Sequence, residues 1–259
     1  MAYLGEFTSK MTDILANILI PKEKRVKQLE SLGPAGLFEN IPRAENFDLR
    51  SATGRETDKL KAIFSYRNTL CRQAIWEIKY RANTKLIADF SLLLYEYILD
   101  DLADLDTFAN FKKPVLLPIP SSRSREKQKG FNQCQLIARE LIKIDRERNG
   151  DNFTLCENFL VKKVDTPHQA RVNNRKNRLE NLKGSFSVNK NDWPGTRNNS
   201  LRLTRTNHSE SFPRTRPSDY SFIIIDDVIT TGATMNEAFR ALKTAGIPLR
   251  KIRGYALAH

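Results

Sequence analysis

The sequence has few of the residues that build disulfide frameworks and metal sites. Its 259 residues include three histidines without metal-ligand spacing and three cysteines, Cys71, Cys134 and Cys156. Because the cysteines are scattered and form no CxxC pair, we expect neither disulfides nor a structural zinc. Cys71 and Cys134 fall in predicted helices, where we expect them to be small core residues. This cysteine usage is typical of a protein of the reducing cytoplasm.

Long apolar runs are also lacking. The apolar stretch at residues 14–20 is stopped by Pro21 and is much shorter than the roughly 20 residues that a membrane helix needs. Glu6 in the leading segment and the lack of a small-residue cleavage site argue against a secretion signal. We therefore expect no membrane partner. The phosphate-binding patterns GxxxxGK[ST] and GxGxxG are absent too, which excludes two common classes of nucleotide site.

Basic residues are in excess. The chain has 43 Lys and Arg against 30 Asp and Glu, a net charge of +13, and 40% of its residues are hydrophobic. That composition predicts one α/β core with appendages. The charge has two interpretations. Either the protein binds polyanions, nucleic acid among them, or the excess lies in mobile segments and mainly aids solubility.

The most informative segment is FIIIDDVITTGAT, residues 222–234. Residues 222–225 are aromatic or β-branched without polar alternation, which predicts a strand buried on both faces of a parallel sheet. Asp226 and Asp227 then lie at the carboxyl end of the strand, the edge where open α/β sheets bind ligands. Carboxylates at that edge accept hydrogen bonds from vicinal hydroxyls or face a hydrated magnesium ion.

A hydroxyl-rich turn follows the acid pair, and a helix is predicted over residues 236–245. Backbone N–H groups, hydroxyls and the positive end of the helix together predict a phosphate cradle. The cradle residues are Thr230, Thr231, Gly232, Ala233 and Thr234.

A second block, VLLPIPSSRSREKQKGFNQ, covers residues 115–133. It predicts a buried strand that ends at prolines, a basic loop over residues 121–129 and a helix from about Asn132. The loop either holds a pyrophosphate through charge-assisted hydrogen bonds or is only a solvated basic turn. Under the first interpretation its ligands are Ser121, Ser122, Arg123, Arg125 and Lys129.

Alternation of predicted strands and helices from residue 61 onward indicates an α/β fold, a mostly parallel sheet flanked by helices. Strands are expected at residues 61–66, 114–117, 159–164, 185–188, 221–225 and 251–256. Helices are expected at residues 70–80, 85–102, 132–145, 167–181 and 236–245.

Two of these segments resemble known families. Residues 222–234 resemble the phosphoribosyl pyrophosphate (PRPP) signature of type I phosphoribosyltransferases. The GFNQ tetrapeptide, residues 130–133, resembles a motif of the ComF/GntX family of phosphoribosyltransferase-like proteins. Residues 62–80, a predicted strand, turn and helix that end in a Lys-Tyr pair, also resemble a segment of this family. The resemblance extends from about residue 61 to the C-terminus and implies a type I phosphoribosyltransferase (Rossmann-like) fold. Lys129 is a departure, since an arginine is usual before GFNQ, and a lysine keeps the charge but loses the bidentate fork.

The resemblance also implies a chemistry. Asp226 and Asp227 would contact the ribose 2′- and 3′-hydroxyls of PRPP and face Mg²⁺, directly or through water. Residues 230–234 would hold the 5′-phosphate, and the cations of residues 121–129 would stabilise the leaving pyrophosphate. The acceptor is not identified.

A third block agrees with the ComF/GntX resemblance. The family's basic, TPxQ, RxxN and GxF positions correspond here to Lys163, Thr166, Pro167, Gln169, Arg178, Asn181, Gly184 and Phe186. On this resemblance Lys163, Arg175 and Arg178 form a lid over the pocket, and Lys163 and Arg178 act with the acid pair in catalysis.

The expected organisation is an N-terminal segment over residues 1–57 and a phosphoribosyltransferase domain over residues 58–259. Related sequences place a cysteine-rich zinc module after an N-terminal helix and proline, whereas the residues after Pro21 contain no cysteine, so we expect no zinc. The apolar face of the N-terminal helix, residues 12–21, either docks on the domain or mediates self-association, which leaves the oligomeric state open.

Two further stretches lack a core-forming pattern. Residues 32–57 are expected to be a weakly ordered connection. Residues 189–219, rich in Arg, Asn, Ser and Thr, are expected to be a mobile insertion or a nucleic-acid-binding arm.

Two functional hypotheses follow from these observations. The first is an enzyme that transfers phosphoribosyl from PRPP–Mg to an unidentified acceptor and releases pyrophosphate. The second is a non-catalytic PRPP- or nucleotide-binding protein that serves competence, the uptake of DNA.

Overall fold

The computed structural model describes residues 22–44, 59–109, 111, 114–163, 184–192 and 220–259. Five of its strands form the main sheet: β1 (Leu60–Phe64), β2 (Val115–Pro118), β3 (Thr154–Leu155), β6 (Phe222–Val228) and β7 (Ile252–Ala258). Their order across the sheet is β1-β7-β6-β2-β3, and all neighbouring pairs are parallel. The predicted α/β class with a parallel sheet is confirmed.

Helices cover both faces of this sheet. They are α1 (Lys22–Asn40), α2 (Thr69–Arg81), α3 (Thr84–Ala109), α4 (Arg123–Lys129), α5 (Gln133–Glu147) and α6 (Ala233–Thr244). One apolar cluster joins α1, α2, α3 and most of α5 to one face, and a second joins α6 to the other. No helix in the part of the chain that the structure describes combines the length and apolar character needed to cross a bilayer.

The central strand β6 shows why its sequence lacks polar alternation. Ile223 and Ile225 belong to the first apolar cluster, while Phe222 and Ile224 belong to the second. Successive side chains of a strand point to opposite faces, so a strand covered on both sides needs an apolar residue at each position. All four side chains are fully buried, as the sequence predicts.

A separate two-stranded antiparallel sheet lies on the α6 side. It pairs β4 (Leu160–Lys162) with β5 (Phe186–Val188). Phe159, just before β4, stacks on Phe222 of the main sheet at 5.7 Å between ring centroids. The predicted strand at residues 159–164 is therefore shorter than expected and lies outside the parallel sheet.

The N-terminal prediction is partly wrong. Residues 32–40, expected to be weakly ordered, belong to α1, in which Gly33 has a positive φ of 60° and separates two helical pieces. Pro34 follows this break, where its missing N–H costs nothing at a helix start. Leu37 and Ile41 are fully buried in the first cluster, and this packing stabilises a segment whose composition favours a loop.

Several other predictions lie outside the described residues. They are the N-terminal helix at residues 12–21, the remaining connection at residues 45–57, the helix at residues 167–181 and most of the insertion, residues 193–219. The first residues of the predicted insertion are described and include a 3-10 turn, Lys190–Asp192.

Candidate functional site

The acid pair is buried at the carboxyl end of β6. Asp226 is 7% exposed and Asp227 is 3% exposed. The backbone N–H of Asp227 donates to Asp226 Oδ1 at 2.9 Å, and the N–H of Val228 donates to Asp227 Oδ1 at 2.8 Å. These bonds to the strand's own backbone fix the orientation of both carboxylates.

Two side chains from other elements contact the second oxygen of Asp227. Lys79 Nζ, near the end of α2, lies 3.1 Å from Oδ2, and Gln133 Nε2, at the start of α5, donates to the same oxygen at 3.2 Å. Burial disfavours the charged ammonium, but the attraction of Asp227 and Asp226 outweighs it and raises the pKa of Lys79. Lys79 is therefore a cation at any physiological pH.

Asp226 has a different environment. Burial, reinforced by the negative charge of Asp227, raises the pKa of Asp226 to about 8 from its ordinary value of 3.8. The Cys134 thiol donates to Asp226 Oδ1 at 3.5 Å, and burial followed by the charge of Asp226 raises its own pKa well above the usual range. In the free protein, Asp226 therefore keeps its proton to a higher pH than an ordinary aspartate does.

The GFNQ tetrapeptide connects this pair to the neighbouring strand. Asn132 is the N-cap of α5, where its side-chain oxygen accepts from Cys134 N at 3.0 Å and its amide donates to the carbonyl of Ile119 at 3.0 Å. Ile119 N in turn donates to Ile225 O of β6 at 2.9 Å. The start of α5 is held at the carboxyl ends of two parallel strands, which brings Gln133 to Asp227.

The basic segment is not the loop that the sequence predicts. Arg123–Lys129 form the short helix α4, capped by Ser122, whose hydroxyl accepts from Arg125 N at 3.4 Å, and by Gly130 with φ 79°. Ser121 does not point to an open loop either, because its hydroxyl donates to Glu126 at 2.6 Å. A serine cap and a glycine cap stabilise a seven-residue helix that has no apolar face.

Lys129 lies beside Lys79. Its ammonium donates to the Lys79 carbonyl at 3.0 Å and lies 4.5 Å from the ring centroid of Tyr80. Burial, then repulsion from the Lys79 charge, lowers the pKa of Lys129. Of the cations predicted in this segment, Arg125 is half-buried, and nothing is described of the Arg123 side chain.

The expected phosphate cradle is the turn between β6 and α6. Gly232 has φ 71°, a value that favours glycine, and α6 begins at Ala233, three residues earlier than predicted. Thr231 Oγ1 accepts from Ala233 N at 3.4 Å, and Thr234 is in the first helical turn. The first N–H groups of a helix have no intrahelical acceptor, so this end of α6 offers donors to an anion.

The expected lid is not assembled by the described residues. Lys163 is exposed at the end of β4, where its backbone N–H donates to Ser185 O at 2.7 Å. Arg175 and Arg178 lie outside the described residues, as do Thr166, Pro167, Gln169 and Asn181.

Sequence reasoning missed Lys79, Gln133 and Cys134 as neighbours of the acid pair. Cys134 is buried as predicted, but it borders the pair instead of lying in an inert part of the core. The resemblance had included Lys79 and Gln133 in its motifs without giving either a role. Their contacts depend on how three elements pack, which no local pattern shows.

Among the side chains around the acid pair, only the carboxylate oxygens suit magnesium. Cys134, Asp226 and Asp227 each place one potential ligand atom within 4.8 Å of the others. Magnesium takes oxygen ligands and keeps several waters, so one or two carboxylates meet its needs, whereas a protonated thiol does not. We therefore regard Asp226 and Asp227, without Cys134, as the candidate ligands.

A parallel α/β sheet with an acid pair, a glycine turn and a helix start at the end of its central strand defines a Rossmann-like arrangement. No protein-family model matches the chain. Two curated proteins are similar to it, and both have names that refer to competence.

Competence protein F of Haemophilus influenzae is 28% identical over 146 residues, which cover 56% of this chain and 50% of that protein. Competence protein ComFC of Bacillus subtilis is 26% identical over 190 residues, which cover 72% of this chain and 58% of that protein. The chain thus matches about half to three fifths of the length of these relatives. Together with the fold, these similarities support a relationship to the ComF proteins.

Proposed function

We propose that this protein binds PRPP with Mg²⁺ and transfers the phosphoribosyl group to an acceptor, with release of pyrophosphate. The observation that carries the proposal is the buried acid pair at the end of β6, held beside Lys79 and followed by the glycine turn of α6. Carboxylates that are buried yet placed at a ligand-binding edge favour recognition of vicinal hydroxyls over a purely structural role.

Each part of the ligand has a proposed partner. The ribose hydroxyls hydrogen-bond to Asp226 and Asp227, and the 5′-phosphate accepts from the turn and first helical N–H groups at residues 230–234. The diphosphate faces the basic side of the site, where Lys79 and Lys129 lie together. Cations held in place before the reaction stabilise the charge that grows on the leaving group.

In the proposed reaction the anomeric C1–O bond to pyrophosphate breaks, and its electron pair leaves with the pyrophosphate oxygen. A lone pair of the acceptor forms the new bond to C1, and the acceptor loses a proton to solvent. Magnesium, when bound, would neutralise part of the diphosphate charge. The protein's contribution is to position the ribose and to offer fixed cations.

Calorimetric titration with PRPP and Mg²⁺ tests binding. We expect wild type to bind and Asp227→Asn to weaken binding at least about tenfold, because an amide replaces the carboxylate acceptor. Asp89→Asn is the matched control, since Asp89 is also buried and pairs with Lys85 at 2.5 Å, but on α3 away from the acid pair. No heat from wild type would overturn the proposal.

Turnover is tested separately by measuring pyrophosphate release with a panel of nucleobases, amines and ammonia. Release above background with at least one acceptor is the expected result. Binding without release from any acceptor would leave the second hypothesis, a non-catalytic PRPP-binding protein.

A second candidate function, binding of single-stranded nucleic acid, is favoured by the exposed surface of α2. Trp76 is 40% exposed and Tyr80 is 49% exposed, with ring centroids 5.3 Å apart. Arg81 and Lys129 lie over these rings at 5.3 and 4.5 Å. Adjacent aromatic rings with cations are the arrangement on which unpaired bases stack, and a net charge of +13 favours a polyanion.

Salt-dependent binding of a labelled oligonucleotide tests this candidate, which agrees with the competence names of the relatives. We expect Trp76→Ala with Tyr80→Ala to weaken binding about tenfold or more, since stacking contributes roughly 1–3 kcal/mol per base. Phe38→Ala is the control, because Phe38 is 41% exposed on α1. Equal binding by the double variant and wild type would exclude this surface.

A further inference from the structure

Lys79 reaches the acid pair from outside the predicted PRPP motifs. It is on α2, and its ammonium lies 3.1 Å from Asp227 Oδ2. The Lys79 side chain is 34% exposed, while that of Asp227 is 5% exposed. The cation is thus at the boundary between the buried pair and solvent, where a ligand would enter.

Asp227 has little room for a further donor on that side. Its Oδ1 accepts from Val228 N, and its Oδ2 accepts from both Gln133 and Lys79. A ribose hydroxyl that approaches Oδ2 has to compete with these two donors. Gln133 is held at the capped start of α5, whereas Lys79 has a long, partly exposed side chain, so Lys79 is the donor that can leave.

The surroundings of Lys79 already contain a second cation. Lys129 Nζ donates to the Lys79 carbonyl, and the repulsion between the two ammonium groups helps lower the pKa of Lys129. If Lys79 leaves Asp227, two ammonium groups from different helices face the same side of the site. An anion relieves their mutual repulsion, and the group with the highest charge in PRPP is its diphosphate.

We propose that Lys79 pairs with Asp227 in the free protein and moves to the diphosphate of PRPP when the ribose hydroxyls take its place. This inference rests on the proposed function and adds a diphosphate-binding residue to it. Lys79 would orient Asp227 before binding and then contribute its charge to the leaving group.

The experiment compares two ligands that share the ribose and the 5′-phosphate. PRPP with Mg²⁺ carries the diphosphate, and ribose 5-phosphate does not. For Lys79→Met we expect the PRPP affinity to fall about ten- to a hundredfold, the range of one charge-assisted hydrogen bond. The affinity for ribose 5-phosphate should stay the same or rise, because the competitor for Asp227 is gone. Lys79→Arg keeps the charge and should retain PRPP binding within severalfold.

Lys85→Met is the matched control. Lys85 also pairs with a buried aspartate, Asp89, and its side chain is 51% exposed, but it lies at the start of α3. This variant should change neither affinity. If Lys79→Met weakens the binding of both ligands equally, Lys79 only supports the structure. If it weakens the binding of neither, Lys79 does not move to the diphosphate. Either result overturns this inference and leaves the proposed function standing. If wild type binds neither ligand, the proposed function fails with it.

Discussion

Asp145 and Asp227 are both almost fully hidden from water, at 2% and 3% exposure, but their partners differ in kind. Asp145, on α5, accepts from Tyr95 Oη at 2.9 Å and from the backbone N–H and side-chain amide of Asn152 at 2.9 and 2.7 Å. All these donors are neutral; Tyr95 comes from α3, which packs on α5, and Asn152 comes from the loop between α5 and β3.

Asp227 lacks such a closed set of partners. One of its donors is the partly exposed Lys79, and its neighbour is a second carboxylate, Asp226, whose pKa is raised. Neutral donors from packed surroundings stabilise a buried carboxylate, whereas a partly exposed cation and an adjacent acid leave it accessible to a competing ligand. The difference separates a structural carboxylate from one suited to a ligand.

The largest loss of stability is expected from a substitution of the structural carboxylate, Asp145. Asp145→Ala leaves the Tyr95 hydroxyl and the Asn152 donors without their buried acceptor, so we expect the free energy of unfolding to fall by about 3 kcal/mol. Urea denaturation measures this change. Calorimetry on the folded variant should show unchanged PRPP affinity. A loss below about 1 kcal/mol would contradict the structural role.

The second prediction concerns Asp226, where we expect a substitution to raise the free energy of unfolding at neutral pH. Because its folded pKa of about 8 exceeds the ordinary 3.8, the folded protein binds a proton that the unfolded chain releases, and stability falls as pH rises from about 4 to about 8. Asp226→Asn removes this dependence. We expect the variant to be more stable than wild type by at least about 1 kcal/mol at pH 7.5 and nearly equal at pH 4.

Urea denaturation with EDTA at these two pH values measures the prediction without metal. Asp101→Asn, at another carboxylate, which pairs with Lys61 and Tyr255, controls for general effects of pH. If the stability curves of wild type and Asp226→Asn run parallel between pH 4 and 7.5, Asp226 is ionised in the folded protein and the prediction is wrong.

The sequence predicts the backbone side of the candidate site well. A short unbroken run of aromatic and β-branched residues favours a strand covered on both faces, and residues 222–225 thereby predict that Asp226 and Asp227 lie at the ligand-binding edge. The start of α5 near Asn132 was also predicted, and it is borne out because asparagine is a strong N-cap.

What the sequence missed has two causes. The contact between Lys79 and Asp227 joins residues far apart in the chain, and no periodicity reports such a pair. The helix α4 was predicted as a loop because its seven residues are all polar and show no apolar face, although Ser122 and Gly130 mark its two ends.

A smaller loss of stability is expected at the start of α5, the helix that carries Asp145 and also places Gln133 beside Asp227. Asn132→Ala removes the cap of this helix and its bond to Ile119, and we expect the free energy of unfolding to fall by about 1–2 kcal/mol. The PRPP affinity should fall too, because Gln133 is no longer held toward Asp227. Asn132→Asp keeps the capping oxygen but cannot donate to the Ile119 carbonyl, so it should recover only the part of the stability that the cap contributes. If Asn132→Ala leaves both quantities unchanged, the helix start is fixed by other contacts.

The smallest change in stability is expected at Glu157, a carboxylate outside the core and away from the candidate site. Glu157 accepts from Arg139 Nε at 2.5 Å and Nη2 at 3.1 Å, but the arginine side chain is 58% exposed. Water and salt screen such a pair, so Glu157→Gln should change the free energy of unfolding by less than about 0.5 kcal/mol at physiological ionic strength. Urea denaturation at low and high salt measures it, with Glu140→Gln, which breaks the exposed pair with Lys143, as control. Suppose instead that the free energy of unfolding falls by more than about 1 kcal/mol at both salt concentrations. A bidentate ion pair at the surface would then stabilise the fold as well as a buried one does, and burial would not explain why the carboxylates of this protein differ.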